Sequence, residues 1–359
     1  MHVLGRMGAS DGPVGSLGRY RARDGSEGAA VGVDLDRPHA ALVVGKRGSG
    51  KSYTLGVLAE ECARASAVAP VVVDPLGPLG GLGAWGRVVA GPTVRASAVP
   101  PRSWPELVGL DPVSPPGALV WQAAAAADTL DGMCTHLEAA TAEAGARRAA
   151  TNHLELARSW EVFSPTGLDA DALVAAPVTV LDCAEQSPGA RDAVTYAVAR
   201  ALYDARLDGR LDCLPWLFVD EAHVAFDGVA GAALETLLTR GRAPGVSLVC
   251  ATQRPGALPP VAASQADLVV AHRLTSEADV VALRACEATY VDGTLRERLP
   301  TERGEALVVD DRTESVHVVR VRERETAHGG ASPRASAMAA ATGRAEPKAR
   351  SEGDGFGQA

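Results

Sequence analysis

Short apolar runs alternate with longer amphipathic stretches along most of the chain. The first clear run, Ala40–Val44, has five consecutive apolar residues, which is typical of a strand covered on both faces in a parallel sheet. From about Lys51 the apolar residues recur at helical spacing, at Leu55, Leu58, Ala59 and Cys62. The pattern therefore predicts a strand followed directly by a helix.

The same alternation continues to about residue 321. Further strands are predicted at 71–75, 178–181, 217–219, 246–250 and 268–270, and further helices at about 189–207 and 230–240. Two apolar runs at 305–309 and 316–321 predict a closing hairpin. Because strands alternate with helices, the chain is predicted to adopt an α/β fold with a mainly parallel sheet.

The pattern weakens in three places, and these suggest the domain organisation. Residues 1–36 are Gly-rich and polar, so we expect an N-terminal arm with a strand or two. Within the main domain, 37–324, an Ala-rich helical composition at about 121–165 predicts a helical insertion. Residues 325–359 are rich in Ala, Gly, Ser, Pro and charge without periodicity, which predicts a disordered tail.

Composition excludes several classes of protein. The 359 residues are 47% hydrophobic and 22% charged, so the chain is not wholly disordered, and no apolar run reaches the roughly 18 residues of a membrane span. A net charge of −9 argues against a protein that coats nucleic acid over its whole surface, although it allows a local basic channel. The six cysteines form no CxxC pair, so we expect buried free thiols, which fit a reducing cytosol. Residues 1–16 lack the apolar core of a signal peptide, so we expect a cytoplasmic protein, and without an apolar anchor we expect no membrane association.

The strongest chemical signal is a complete G-x-x-x-x-G-K-[ST] motif between the first predicted strand and helix. It consists of Gly45, Lys46, Arg47, Gly48, Ser49, Gly50, Lys51 and Ser52, and Tyr53 completes the predicted nucleotide-binding set. Its glycines let successive backbone N–H groups face a phosphate, and the helix N-terminus adds its positive dipole end. Lys51 is expected to reach the β- and γ-phosphates, and Ser52 to hold Mg²⁺.

A pair of acids follows the predicted strand at 217–219. We expect Asp220 to hold magnesium through water, and Glu221 to orient and deprotonate the water that attacks the γ-phosphate. His223 completes the letters of a DEAH box. Too few residues follow Gln253, however, for the second nucleotide-binding domain that DEAH helicases need, so that interpretation is rejected.

Two further residues are candidates for a role in hydrolysis. Gln253 follows the buried strand at 246–250, where its amide is placed to sense the γ-phosphate beside Glu221. Arg242 lies just before that strand in a loop rich in Gly and Pro. In a ring of identical subunits such an arginine suits a neighbour's ATP, because a guanidinium matches phosphate geometry, although Arg240 and Arg254 are close enough in sequence to take the role.

Together these motifs resemble the HerA branch of the HerA/FtsK family of hexameric DNA-pumping ATPases. The matching segments are 45–54, 219–223, 240–246, 251–255, 264–267 and 272–274, within a region of about 35–325. The resemblance implies a RecA-like P-loop core, hydrolysis of ATP with Mg²⁺, and a ring, expected to be a hexamer, that threads double-stranded DNA. It also implies Gln253 as sensor and Arg242 as the trans-acting finger. A nuclease partner of the NurA type is implied as well, although the family's N-terminal docking barrel does not fit into residues 1–36.

Three functions remain open at this stage. The first is an ATP-driven motor on double-stranded DNA in repair, end processing or defence, and the second is a conjugation-type or secretion-type ATPase. The third is an ATP-binding regulatory or assembly subunit without motor activity. No basic stripe identifies the DNA contacts, and the candidates are Arg147, Arg148, Arg320, Arg322 and Arg324.

Overall fold

A computed structural model describes residues 1–8, 10–22, 24–283 and 298–330. In this part of the chain, twelve strands form one sheet in the order β1-β3-β2-β12-β11-β10-β4-β9-β8-β5-β7-β6. The strands are β1 His2–Leu4, β2 Val14–Arg21, β3 Glu27–Asp34, β4 Ala40–Val44, β5 Val68–Asp74, β6 Arg87–Ala90, β7 Thr179–Asp182, β8 Leu214–Val219, β9 Ser247–Thr252, β10 Leu268–Ala271, β11 Glu305–Asp310 and β12 Ser315–Val321.

The helices fill the connections between these strands. They are α1 Lys51–Arg64, α2 Trp104–Leu107, α3 Pro115–Ala126, α4 Leu130–Ala139, α5 Ala144–Arg158, α6 Ala170–Val174, α7 Pro188–Leu207, α8 Ala222–Phe226, α9 Ala230–Arg240, α10 Pro260–Gln265 and α11 Glu277–Leu283. Within the described residues, every helix is too short or too polar to cross a membrane.

The strands from β10 to β6 run parallel to one another, and the hairpin β11–β12 continues the sheet antiparallel to β10. The predicted α/β fold with a mainly parallel sheet is confirmed, as is the closing hairpin. Successive residues of the central strands face opposite sides, so that Leu42 and Val44 join one apolar core while Ala41 and Val43 join the other. This two-sided burial explains why the parallel strands are continuous apolar runs rather than alternating ones.

Residues 1–36 extend the same sheet. β2 pairs antiparallel with β12, with Tyr20 opposite Val319, and β3 pairs antiparallel with β2. β1 then pairs parallel with β3 at the edge. The segment predicted as an arm with a strand or two therefore contributes three strands.

Helices α2 to α5 pack around an apolar cluster of their own, which includes Trp104, Val120, Met133 and Leu154. The insertion was predicted at about 121–165, and these helices occupy Trp104–Leu107 and then Pro115 to Arg158. At the other end, the predicted tail begins with residues that contact α1, and residues 331–359 lie outside the described residues.

The cysteines that the structure describes are free. Cys62, Cys134, Cys183 and Cys250 are buried and Cys213 is half-buried, as expected for structural thiols. Burial raises the pKa of both Cys183 and Cys250 to about 12, which leaves these thiols protonated and unreactive. Cys286 lies outside the described residues.

Candidate nucleotide site

The carboxyl ends of three neighbouring strands bring the predicted phosphate and acid residues together. β9 lies between β4 and β8 in the sheet. The phosphate loop follows β4, Asp220 and Glu221 follow β8, and Gln253 follows β9. Because the three strands are parallel, all of these residues emerge at one edge.

The loop between β4 and α1 has the backbone conformation that a phosphate cradle needs. Gly48 and Gly50 have φ of 76° and 124°, a region that side chains disfavour. A Cβ on Gly45 would lie 2.5 Å from Ser49 Oγ, so the close curl of the loop requires glycine there. The first turn of α1 carries no acidic residue, which leaves the positive end of the helix dipole available to an anion.

Lys51 is buried at the start of α1, and its Nζ donates a hydrogen bond of 3.3 Å to the carbonyl of Lys46. Burial lowers the pKa of Lys51, while Glu221 and Asp220 oppose that shift. The ammonium therefore lies between the loop and the acids, where a γ-phosphate would be placed. Lys46 is half-buried and Arg47 is exposed at the tip of the loop.

Ser52 and Asp220 form a pair suited to magnesium. Ser52 Oγ donates a hydrogen bond of 2.6 Å to Asp220 Oδ2, and the Asp220 side chain is buried. A hydroxyl and a carboxylate are hard oxygen ligands of the kind that Mg²⁺ prefers. No group of three or more His, Cys, Asp or Glu in the described residues could hold a metal alone. A magnesium ion here would complete its coordination with phosphate oxygens and water, which fits the residues present.

Glu221 has a strained backbone that aims its carboxylate into the site. Its φ of 48° and ψ of 41° lie in the left-handed region, which is rare for residues other than glycine and clusters at functional sites. The Gln253 side chain is close enough to this carboxylate to act on its pKa, which it lowers. Burial and the neighbouring charge of Asp220 raise the pKa of Glu221, although Lys51 and Arg47 counteract part of that shift. A raised pKa makes the carboxylate a stronger base.

His223 also belongs to the site. Sequence analysis assigned it no role beyond completing the letters of a DEAH box. Its Nδ1 lies 3.4 Å from Glu221 Oε2 and 3.1 Å from Thr252 Oγ1, so it bridges the acid and the tip of β9. Burial and the nearby Arg254 lower the pKa of His223. Arg254 therefore lies at the same edge as the acids, where its backbone N–H donates to Thr252 Oγ1.

His272 packs against the phosphate loop, next to Gly45 and Gly50. Sequence reasoning did not assign this role. The imidazole is fully buried, with Nδ1 2.8 Å from the Glu305 carbonyl and Nε2 2.8 Å from Thr54 Oγ1. Burial lowers the pKa of His272 to about 4, so the ring is neutral and Nδ1 carries the proton. The resemblance at 272–274 was the only signal for it.

Asp74, at the end of β5, is a second residue that sequence reasoning missed. It is buried and accepts backbone hydrogen bonds from Gly77 at 2.9 Å and Leu79 at 2.7 Å. Burial raises the pKa of Asp74 to about 6, with a smaller contribution from Asp220. Asp74 therefore fixes the loop that follows β5, beside Asp220 and Glu221. In the sequence, the only indication of this role is the position of Asp74 directly after an apolar run.

The structure does not bring Arg242 to the phosphate loop of its own chain. Arg242 precedes β9, at the amino edge of the sheet, and its Nη2 lies 3.1 Å from Asp267 Oδ2. Asp267 also accepts hydrogen bonds from the backbone of Ala40 and contacts Nδ1 of His39, both at 2.9 Å. The guanidinium is 61% exposed and so is presented outward.

The five arginines proposed as DNA contacts differ in availability. Arg322 pairs with Glu60 at 2.8 Å and Glu61 at 2.6 Å, and the Arg324 guanidinium is buried, so the structure excludes these two. Arg320 is half-exposed near Glu305. Arg147 donates to the Ala140 carbonyl, and Arg148 is exposed.

Comparison with known proteins shows the fold. No protein-family model matches the sequence, and no curated protein matches it either. The structure is similar to that of VirB4 of Thermoanaerobacter pseudethanolicus, with a TM-score of 0.68 and 16% identity over 89% of this chain and 99% of that one. It is also similar to the bacterial conjugative coupling protein TrwBΔN70, with a TM-score of 0.58 and 14% identity over 83% of this chain and 88% of that one. These similarities confirm the RecA-like P-loop ATPase fold and do not single out the HerA branch.

Proposed function

We propose that this chain is a magnesium-dependent ATPase that drives movement along double-stranded DNA as a ring of identical subunits. One observation carries the ATPase assignment. A strained acid, a hydroxyl–carboxylate pair and a buried lysine meet a glycine-rich phosphate cradle at a single edge of the sheet. The RecA-like fold supports the same assignment, because it places these elements where P-loop enzymes need them.

Binding follows from the geometry of the loop. Backbone N–H groups at 45–50 and the start of α1 face the phosphates, and Lys51 neutralises the β- and γ-phosphates from the side of the acids. Ser52 and Asp220 would hold Mg²⁺, which supplies screening of the phosphate charge. The loop and helix thus provide affinity for the triphosphate before any chemistry occurs.

Hydrolysis is assigned to Glu221 and Gln253. Glu221 accepts a proton from water as the water oxygen bonds to the γ-phosphorus, and the bond from that phosphorus to the β-phosphate oxygen breaks, which leaves ADP and phosphate. Gln253, which lies beside the same carboxylate at the end of β9, holds the attacking water beside the γ-phosphate. His223, whose Nδ1 lies 3.4 Å from Glu221 Oε2, orients this carboxylate.

The ring, expected to be a hexamer, supplies what one chain lacks. Arg242 lies at the far edge from its own phosphate loop and is presented outward, so we assign it to the ATP of the neighbouring subunit. A NurA-type nuclease partner and a role in repair, end processing or defence remain expectations from the HerA resemblance, and a cytoplasmic location remains an expectation from the cysteine usage.

A conjugation-type ATPase is the second candidate. The similarity in fold to the bacterial conjugative coupling protein TrwBΔN70 favours this candidate. The third candidate is a regulatory or assembly subunit that binds ATP without motor activity.

The test is ATP turnover with and without duplex DNA, over a range of salt concentrations, on protein whose oligomeric mass has been measured. A motor should hydrolyse ATP faster with DNA, and this stimulation should fall steeply with salt because phosphate contacts dominate binding. Lys51→Ala is the matched control, since it removes the cation that faces the phosphates and should abolish turnover. Turnover that is indifferent to DNA would support the regulatory subunit, and undiminished turnover in Lys51→Ala would contradict the site itself.

A further inference from the structure

Residues 322–329, here called the strap, run from the end of β12 across α1 to the loop after β5. At one end, the Arg322 N–H donates to the Leu17 carbonyl at 2.9 Å, and at the other the Gly329 N–H donates to the Pro78 carbonyl at 3.2 Å. A Cβ on Gly81 would lie 2.0 Å from the Ala327 carbonyl oxygen, so the seat of the strap requires glycine there. The strap is thus a built part of the domain.

A buried acid of α1 anchors the strap. Glu60 is fully buried and accepts hydrogen bonds from Thr326 N–H at 2.8 Å, Thr326 Oγ1 at 2.7 Å and Glu325 N–H at 3.1 Å. One turn earlier, a Cβ on Gly56 would lie 2.5 Å from the Arg324 guanidinium carbon. The helix therefore has both a polar anchor and a groove for this segment.

The strap also contacts the first turn of α1, at Tyr53, which follows the proposed magnesium ligand Ser52 in sequence. Tyr53 Oη accepts a hydrogen bond of 2.6 Å from the Arg324 N–H. The His328 ring lies against the Tyr53 ring, with centroids 5.4 Å apart at an interplanar angle of 78°. Both residues are half-buried, so each is partly accessible to a further contact.

The expected direction of a bound nucleotide leads toward these rings. A γ-phosphate would face Lys51 and Glu221, and the α- and β-phosphates would lie over the N–H groups at the start of α1. A nucleoside that continued from Ser52 toward Tyr53 would meet both rings. The loop at Gly304 lies close by, since its N is 3.9 Å from a Cβ on Gly50.

We propose that the strap forms the nucleoside side of the ATP site, with Tyr53 and His328 as the rings on which the purine base packs. This proposal rests on the proposed function and adds the part of the site that no phosphate motif specifies. The base then contacts two segments that lie 275 positions apart in sequence, one in α1 and one in the strap. Nucleotide binding and the seating of the strap therefore stabilise each other.

The test compares Mg–ATP with magnesium and inorganic triphosphate, each titrated calorimetrically into wild type, His328→Ala and His328→Phe. Stacking of a base on an aromatic ring predicts that His328→Ala weakens ATP binding by about 5-fold or more, whereas triphosphate, which has no base, binds unchanged. His328→Phe should restore ATP affinity, because the ring face rather than its charge makes the contact. Glu323→Gln, an exposed change within the strap, is the matched control and should leave both affinities at the wild-type value.

Two results would overturn the inference. In one, His328→Ala weakens ATP and triphosphate by the same factor, which would indicate general damage to the loop. In the other, ATP affinity is unaffected by His328→Ala, which would place the base elsewhere. A wild-type protein that binds neither ligand would instead refute the proposed function, so the two failures are distinguishable.

Discussion

Replacement of Glu60 by glutamine tests whether a buried ion-pair network holds the strap on α1. Glu60 lies 2.8 Å from Arg322 and 3.7 Å from Arg324, whose side chain is 1% exposed. Glutamine keeps the shape but removes the charge, which leaves two arginines without this partner. Breaking a buried pair costs about 3–5 kcal/mol, and we expect the lower end because the amide oxygen can still accept from Thr326.

Thermal unfolding measures this cost. An unfolding entropy of about 2 cal/mol/K per residue converts about 3 kcal/mol into a fall in Tm of about 4 °C for the unit of residues 1–329. Glu323→Gln is the control, because an exposed carboxylate of the strap should change the free energy of unfolding by less than about 0.5 kcal/mol. Proteolysis at the strap should accelerate in Glu60→Gln and not in the control.

The pH dependence provides an independent check. Burial alone would raise the pKa of Glu60, but hydrogen bonds from Thr326 and Arg322 outweigh it and hold the pKa below its usual value. A depressed folded-state pKa stabilises the protein above the unfolded pKa of about 4.3, and this stabilisation is lost as pH falls through the folded value. The gap in Tm between wild type and Glu60→Gln should therefore narrow on acidification. A gap below about 1 °C at pH 7, or one that does not change down to pH 3, would refute the network as the anchor.

Three further outcomes follow from the site. Glu221→Gln should bind Mg–ATP with near wild-type affinity and hydrolyse it very slowly. Asp220→Asn should instead weaken ATP binding only when magnesium is present. If the two variants behave equally in binding and turnover assays, this division of roles is wrong. Arg242→Ala should keep ATP affinity and lose about 10³-fold in turnover, as measured at saturating ATP. Mixing Arg242→Ala with Lys51→Ala should restore activity, because the second variant lends its arginine to a neighbour that binds ATP; no recovery in rings shown to be mixed would exclude action in trans.

The periodic part of the fold could be predicted from sequence because its pattern is local. β4, β8 and β9 are continuous apolar runs, and each is followed by the residues that belong at the carboxyl edge. The phosphate loop and the acid pair could be placed for the same reason. β2 and β3 were harder to predict. Both contain glycine, which is rare in strands, and β12, the strand that joins β2 to the rest of the sheet, lies about 300 residues away.

Residues that act through distant partners carried almost no sequence signal. His272 is separated from Thr54 by 218 positions and Glu60 from Thr326 by 266, and none of these residue types is unusual in its own segment. Helical spacing even argues against burial of Glu60, because this residue lies outside the apolar stripe of Leu55, Leu58, Ala59 and Cys62. Its burial is favourable only once the arginines and backbone donors of the strap surround it. Tertiary structure, rather than local pattern, creates these sites.

The position of Arg242 in the sheet keeps it away from the nucleotide site of its own chain. β9 separates Arg242 from Gln253, and six residues at about 3.3 Å each span about 20 Å, which is longer than an arginine side chain. Asp267 holds the guanidinium at the amino edge while every other proposed catalytic group lies at the carboxyl edge. If Arg242 takes part in hydrolysis, its partner must be the ATP of another subunit. Specific activity per chain should then rise with protein concentration as rings assemble, and activity proportional to concentration across the assembly range would remove Arg242 from the mechanism.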